Sequence, residues 1–291
     1  MKGAARPWLL FAAFSMAACQ QTSAPDGKPL VVASVFPVYE FARQVADDRA
    51  QVVALVPTGV EPHDWEPSPQ DMAQVRRARL FVYNGAGLEP WAEKVKAEVN
   101  GKTTSVVSAT AGISIVGGDP HVWLDPALAR KQVETLRAAL ARLDPAGAEA
   151  YGARAKAFAA KLEALDERFA EGLRNCARRE VVVSHAAFGY LTRRYRLEQV
   201  AVMGLAPESE PSPAALAAIV RLARARKVEA VFFETLVNRR LADTLAREIG
   251  ARTLVLNPIE GLTREEAAAG KGYLDLMAAN LVNLRDGLGC R

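Results

Sequence analysis

The sequence predicts an α/β protein of two lobes, each a mostly parallel sheet flanked by helices, joined by a long rigid helix. Three observations support this fold class. Short apolar runs alternate with helical patterns after residue 29, the alternation occurs in both halves of the chain, and an uninterrupted helical pattern separates the halves. The 291 residues, 50% hydrophobic and 24% charged, have the composition of a folded protein and the length for two lobes.

The first lobe is expected at residues 29–143. Its apolar runs predict four strands, at 30–35, 52–56, 80–83 and around 105–107. Turn residues end two of these strands, as Pro57-Thr58-Gly59 and as Asn84-Gly85. Helices are predicted from Pro37 onward, at 72–79 and at 127–143.

The linking helix is expected at residues 144–175. Asp144-Pro145 provides an N-terminal cap and a proline suited to the first turn. Apolar residues then mark one helical face, at Tyr151, Phe158, Leu162, Leu165, Phe169 and Leu173. About 30 residues rising about 1.5 Å each would span roughly 45 Å, enough to cross a domain.

The second lobe is expected at residues 176–291 and repeats the plan of the first without repeating its sequence. Strands are predicted at 181–183, 199–203, 230–233 and 253–256. Helices are predicted near 187–195, 212–226, 239–249 and 265–286.

The N-terminus has the layout of a secretory signal. Lys2 and Arg6 precede an apolar stretch at 8–14, and small residues then lead to Cys19. This resembles a lipoprotein processing site, although Met16 stands where leucine is usual. We expect a signal peptide at 1–18, a lipidated Cys19 as the only membrane attachment, and a polar tether at 19–28. The alternative is an ordinary cleaved signal with an incidental cysteine.

The chain contains three cysteines, an odd number for an exported protein. If Cys19 carries a lipid, Cys176 and Cys290 remain as a pair, and outside the cytoplasm such a pair tends to oxidise. We therefore predict a disulfide between them. Two separate buried thiols are the alternative.

The charge balance gives little support to nucleic-acid binding. The net charge is +4, and loss of Lys2 and Arg6 with residues 1–18 leaves +2. The chain has no run of basic residues interleaved with aromatic ones, as a nucleic-acid-binding surface would require.

The chain contains only three histidines, and each follows a predicted strand or lies in a connecting loop. They are His63, His121 and His185, separated by 58 and 64 residues. Loops at the carboxyl ends of parallel strands form the binding crevice of open α/β sheets, and a fourth such loop contains Asn257. Dispersed imidazoles suit a tetrahedral metal site assembled between two lobes. Three unrelated structural histidines are the alternative.

Four sequence blocks resemble a known family, the zinc/manganese substrate-binding proteins of ABC importers. The resemblance spans residues 29–291, and the blocks occur in order as Glu61-Pro62-His63-Asp64-Trp65-Glu66-Pro67, Asp119-Pro120-His121-Val122-Trp123-Leu124-Asp125-Pro126, Ser184-His185-Ala186-Ala187-Phe188-Gly189-Tyr190-Leu191 and Glu210-Pro211-Ser212-Pro213. It implies a receptor that binds a metal between its lobes and delivers it to the membrane permease of an ABC importer. Together with the N-terminal signal, we expect an extracytoplasmic, lipid-anchored protein, and we expect a monomer.

The resemblance assigns three metal ligands, His63, His121 and His185. A histidine at 185, where manganese-type members often have glutamate, favours Zn²⁺ over Mn²⁺ as the transported ion. The fourth position is Asn257, where many members have aspartate, and Glu61 or water are the alternatives. We expect a carboxylate at this position to strengthen binding, so that Asn257→Asp would bind zinc more tightly. The stretch 101–118 contains no histidine, so we expect no accessory zinc-collecting loop.

Several other residues are candidates for roles around the metal. Glu208, Glu210 and Glu234 are candidate acceptors for histidine N–H groups, and Trp65 and Trp123 could wall the site. Two alternative functions remain. Three histidines with an open fourth position also suit a zinc-dependent hydrolase, and a metal-bearing adhesin would present the same residues.

Overall fold

The computed structural model describes residues 27–99, 103–206, 213–236 and 240–291. The predicted signal peptide at 1–18 and the lipidated Cys19 lie outside the described residues. The tether predicted at 19–28 is described only from Gly27 onward.

The first lobe is built around a four-stranded parallel sheet. Its elements are β1 (Leu30–Ala33), α1 (Phe36–Ala46), β2 (Gln51–Ala54), α2 (Pro69–Arg77), β3 (Leu80–Tyr83), α3 (Ala92–Val99), β4 (Ser105–Ser108) and α4 (Pro126–Leu143). The strand order is β2-β1-β3-β4, with Val31 opposite both Val52 and Leu80. The four predicted strands are confirmed, whereas α3 was not predicted.

The second lobe has the same sheet plan. Its elements are β5 (Glu180–Val183), α6 (Gly189–Arg194), β6 (Glu198–Ala201), α7 (Pro213–Ala225), β7 (Ala230–Phe233), α8 (Arg240–Ile249), β8 (Arg252–Val255), α9 (Arg264–Ala268) and α10 (Tyr273–Leu288), where α5 is the linking helix described below. The order β6-β5-β7-β8 is also parallel throughout. The four predicted strands of this lobe are confirmed.

One helix prediction in the second lobe is wrong. The single helix expected at 265–286 is two helices, α9 and α10, because the chain turns between them. Gly270 adopts a φ of +64°, a left-handed conformation that ends helices and that glycine reaches without a side-chain penalty. Asp275 then accepts a hydrogen bond from the backbone N–H of Gly272 and starts α10.

The two lobes are joined by the long helix α5 (Ala148–Gly172), after a 3-10 turn at Pro145–Gly147 that Asp144 caps. Its predicted apolar face is buried and packs against α1 and α4 of the first lobe and α10 of the second. The main hydrophobic core is therefore continuous from one lobe through the helix to the other.

A disulfide joins Cys176 to Cys290, as predicted. It links the segment that follows α5 to the C-terminus of the chain, at the end of the second lobe where β5 begins. In the part of the chain that the structure describes, no helix combines the length and apolar character needed to span a bilayer.

Hydrogen bonds connect the loops of the two lobes directly. The backbone N–H of Gly59 donates to the carbonyl of Leu262 at 2.8 Å, and that of Phe36 donates to the carbonyl of Glu260 at 3.3 Å. The indole N–H of Trp123 donates to the carbonyl of Pro258 at 2.7 Å. The loop after β8 is thereby bound to the first lobe, although its strand belongs to the second.

Candidate metal centre

Four side chains from four loops converge between the lobes. His63 lies on a 3-10 turn after β2, and His121 lies in the loop between β4 and α4. His185 follows β5 by two residues, and Glu260 lies in the loop after β8. These loops meet because the carboxyl ends of the two parallel sheets face each other across the cleft.

The four side chains point their polar atoms at one position. Oε1 of Glu260 lies 2.8 Å from Nε2 of His121 and 3.4 Å from Nε2 of both His63 and His185. One candidate ligand atom from each residue lies within 4.8 Å of every other. His121 and His185 are fully buried, and Glu260 is 1% exposed. This spacing is that of donors around a single ion.

Two of the imidazoles are oriented by carboxylates behind them. Nδ1 of His121 lies 2.8 Å from Asp119 Oδ1, and Nδ1 of His185 lies 2.7 Å from Glu234 Oε1. Each carboxylate accepts a hydrogen bond from Nδ1–H, which keeps the proton on Nδ1 and leaves the lone pair on Nε2 facing the centre of the cluster. The Nδ1–H tautomer is the one that coordinates a metal through Nε2.

The atoms that face the centre have no hydrogen-bond partner outside the cluster itself. They are Nε2 of the three histidines and both carboxylate oxygens of Glu260, all buried. Buried polar atoms without partners are costly, and five of them around one point need a common partner. A divalent cation accepts lone pairs from all of these groups, so the donor set fits a metal.

The charges around the centre are unevenly distributed. Burial would raise the pKa of Glu260, but the three histidines hold it well below its usual range. Burial and the charge of Glu260 raise the pKa of Glu61 to about 9. For His185, burial would lower the pKa, but the hydrogen bond to Glu234 and the neighbouring Glu260 raise it to about 10. Glu260 is therefore the carboxylate that carries charge at the centre.

The structure places Asn257 outside this cluster, in contrast to the sequence-based expectation. Its Oδ1 accepts the backbone N–H of Ile259 at 2.7 Å, and its Nδ2 donates to Glu266 at 3.0 Å. The carboxylate comes instead from Glu260, three residues further on. The sequence did contain a signal for it, since a glutamate stood in the same strand-end loop as Asn257.

The other candidates are placed as follows. Glu61, considered as an alternative ligand, accepts the backbone N–H of His63 at 3.2 Å. Glu234 is an acceptor for a histidine, whereas Glu208 and Glu210 lie outside the described residues. The Trp123 ring stands edge-on beside His121, with centroids 5.3 Å apart, and walls the site. The Trp65 ring packs edge-on against Trp91.

The molecule has two parallel-sheet lobes joined by one long helix, and three imidazoles and a carboxylate lie between the lobes. This arrangement defines a two-lobed metal-binding receptor. A model of one such family, described as the periplasmic component A of a zinc-uptake complex, matches residues 31–287. The chain belongs to this family. Its members are extracytoplasmic receptors that work with the permeases of ABC importers, and they are not enzymes, which answers the hydrolase alternative.

Individual relatives are similar over most of the chain. The high-affinity zinc uptake system protein ZnuA of Bacillus subtilis is 38% identical, over 97% of this chain and 94% of its own length. The zinc-binding lipoprotein AdcA of Streptococcus pneumoniae is also 38% identical, over 94% of this chain, which spans 58% of AdcA. The solved Zn(II)-bound ZnuA-like domain of that AdcA superposes with a TM-score of 0.82 at 40% identity, covering 90% of this chain and 99% of the domain.

Proposed function

We propose that this protein captures Zn²⁺ outside the cytoplasm and delivers it to the permease of an ABC importer. The observation that carries the proposal is a set of five buried metal-donor atoms that have no partner outside their own cluster, on His63, His121, His185 and Glu260. The family and the named zinc-binding relatives support zinc as the cargo.

The proposed ligands are Nε2 of the three histidines and the carboxylate of Glu260. Three nitrogen donors and one oxygen donor match the tetrahedral coordination of zinc, with expected distances of about 2.0–2.2 Å. Mn²⁺ prefers sites with a larger share of oxygen donors. We therefore expect a preference for zinc over manganese.

The proposed arrangement in the cell follows from the N-terminus. Residues 1–18 act as a lipoprotein signal, Cys19 carries the lipid, and residues 19–28 form the tether that holds the receptor at the membrane. The receptor then comprises lobes 29–143 and 176–291 with the linking segment 144–175 between them, and acts as a monomer. Periplasm or outer cell surface are both consistent with such an anchor.

Competition titration tests the function and the ligand set together. The chain from residue 27, stripped of metal, should bind Zn²⁺ with a much lower Kd than Mn²⁺. Glu260→Gln and His185→Ala should each raise the zinc Kd by more than about 100-fold, since outer contacts alone change metal affinity by about 10- to 100-fold. The control Glu265→Gln changes an exposed carboxylate on the neighbouring helix and should leave the Kd unchanged. Manganese bound more tightly than zinc, or a Glu260→Gln variant that binds zinc normally, would contradict the proposal.

A further inference from the structure

The loop that carries Glu260 is fixed at each residue from 257 to 260. We propose that Asn257 is a positioning residue for zinc binding, which holds Glu260 in place through a side-chain bridge between Ile259 and Glu266. The inference rests on the proposed function, because it concerns the same site. It also reverses the expectation that an aspartate at 257 would strengthen binding.

Asn257 is anchored through its backbone to α10. Its N–H donates to Oδ1 of Asn280 at 2.8 Å, and its carbonyl accepts from Nδ2 of Asn280 at 2.7 Å. Both asparagines are buried. The backbone of Asn257 is therefore fixed, and its side-chain amide can hold the residues that follow through hydrogen bonds.

The amide oxygen of Asn257 holds Ile259 in an unusual conformation. Ile259 is fully buried and has a φ of +62°, in the left-handed region that a β-branched residue rarely adopts. The hydrogen bond from its backbone N–H to Asn257 Oδ1 supports this conformation. Because the next residue is Glu260, the direction of the chain at Ile259 decides whether that carboxylate faces the three imidazoles.

The amide N–H of Asn257 is bound by Glu266 at the start of α9. One oxygen of Glu266 accepts from Asn257 Nδ2, and the other accepts the backbone N–H of Thr263 at 2.8 Å. The hydroxyl of Thr263 in turn accepts the N–H of Glu266 and caps the helix. The segment from 257 to 266 thus forms one closed hydrogen-bonded unit, with Glu260 inside it.

An aspartate at 257 would disrupt this unit. It could still accept the N–H of Ile259, but it would replace the donor to Glu266 by a carboxylate oxygen about 3 Å from another carboxylate. Repulsion between the two negative charges, in a partly buried position, would move the 257–260 loop away from its present position. The carboxylate of Glu260 would then no longer face the three histidines, and zinc would be bound less tightly.

A charge-matched pair of variants tests the bridge. Asn257→Asp should raise the zinc Kd by about 10-fold or more, as expected for the loss of an outer contact. Asn257→Asp combined with Glu266→Gln restores a donor and an acceptor with the roles exchanged, and should recover most of the affinity. Cobalt-loaded protein gives a second readout, because displacement of Glu260 should change the d–d absorption in the single variant and restore it in the double one.

Further measurements make the outcome decisive. Should Asn257→Asp fail to fold, Glu266→Ala removes the acceptor from the partly exposed side of the bridge and should still raise the zinc Kd, whereas Glu265→Ala should not. The inference is overturned if Asn257→Asp binds zinc as tightly as the unaltered protein or more tightly, or if Glu266→Gln gives no rescue. Failure of the proposed function would look different, since the unaltered protein itself would then bind no zinc.

Discussion

At the scale of single residues, protons and zinc compete for the same lone pairs. The hydrogen bond to Glu234 and the proximity of Glu260 favour the protonated form of His185, with a pKa of about 10. Burial would have the opposite effect, since it disfavours a charged imidazole. A zinc ion takes the place of the proton on Nε2, so binding must release a proton at neutral pH.

We predict that zinc binding strengthens as the pH rises from 6.5 to 8.5. A folded-state pKa above the ordinary value means that the proton on His185 stabilises the metal-free protein below about pH 6.5, and that this stabilisation is lost as the pH rises towards 10. The Tm difference between zinc-loaded and metal-free protein should therefore widen with pH. Zinc-loaded protein, in which zinc occupies Nε2 of His185 and no proton can leave that nitrogen, serves as the control, and its Tm should change less with pH. A zinc Kd that is constant over this range would sink the prediction.

At the scale of elements, the close packing of α10 on the second sheet depends on one glycine. A Cβ built at Gly287 would lie 2.6 Å from Cζ of Phe232 and 3.0 Å from Cβ of Ala230. These neighbours belong to β7, so they cannot move away without disturbing the sheet. The helix and the sheet therefore approach each other more closely than any other residue at 287 would allow.

We predict that Gly287→Ala destabilises the protein by about 1–3 kcal/mol, the usual cost of overpacking a core. Gly152→Ala is the matched control, because Gly152 lies within α5 and a Cβ there meets nothing within 4 Å. That change should be neutral or stabilising by up to about 1 kcal/mol, since alanine favours a helix more than glycine does. Urea unfolding measures both variants. Equal effects of the two substitutions would contradict this account of the packing.

At the scale of the whole molecule, the lobes share a core and several hydrogen bonds. Helix α5 packs on both lobes, and the loop after β8 is bound to the first lobe through Phe36, Gly59 and Trp123. A rigid helix of this kind resists the wide rotation that short flexible crossovers permit.

We predict that zinc produces small movements of loops and little rotation of the lobes. Small-angle X-ray scattering of metal-stripped and zinc-loaded protein should give the same radius of gyration within error. Chelator added to the zinc-loaded sample serves as the control for reversibility. A clear contraction on zinc binding, as in a clamshell closure, would show that the linking helix does bend.

The disulfide acts on the stability of the whole molecule and lies away from the metal centre. Cys176 and Cys290 are 114 residues apart and close a loop that contains the second lobe. We predict that replacing both by serine lowers the free energy of unfolding by about 4 kcal/mol, on the loop-entropy account. The zinc Kd should stay unchanged, because Cys176 precedes β5 whereas the ligands follow the strands. A large loss of zinc affinity in a folded double variant would mean that the disulfide also positions the site.

Sequence patterns alone predicted the two-lobed α/β plan, the eight strands found in the described residues, and the convergence of the three histidines between the lobes. These features can be predicted from local sequence, because buried strands are short apolar runs and the loops that follow them begin with turn residues. The tertiary structure was needed to find that Glu260, rather than Asn257 or Glu61, lies with the three histidines. The side-chain direction in that loop depends on the left-handed Ile259 and on partners far along the chain, Asn280 and Trp123. The break between α9 and α10 was visible as two glycines around Lys271, but whether they interrupt a helix depends on what the chain packs against.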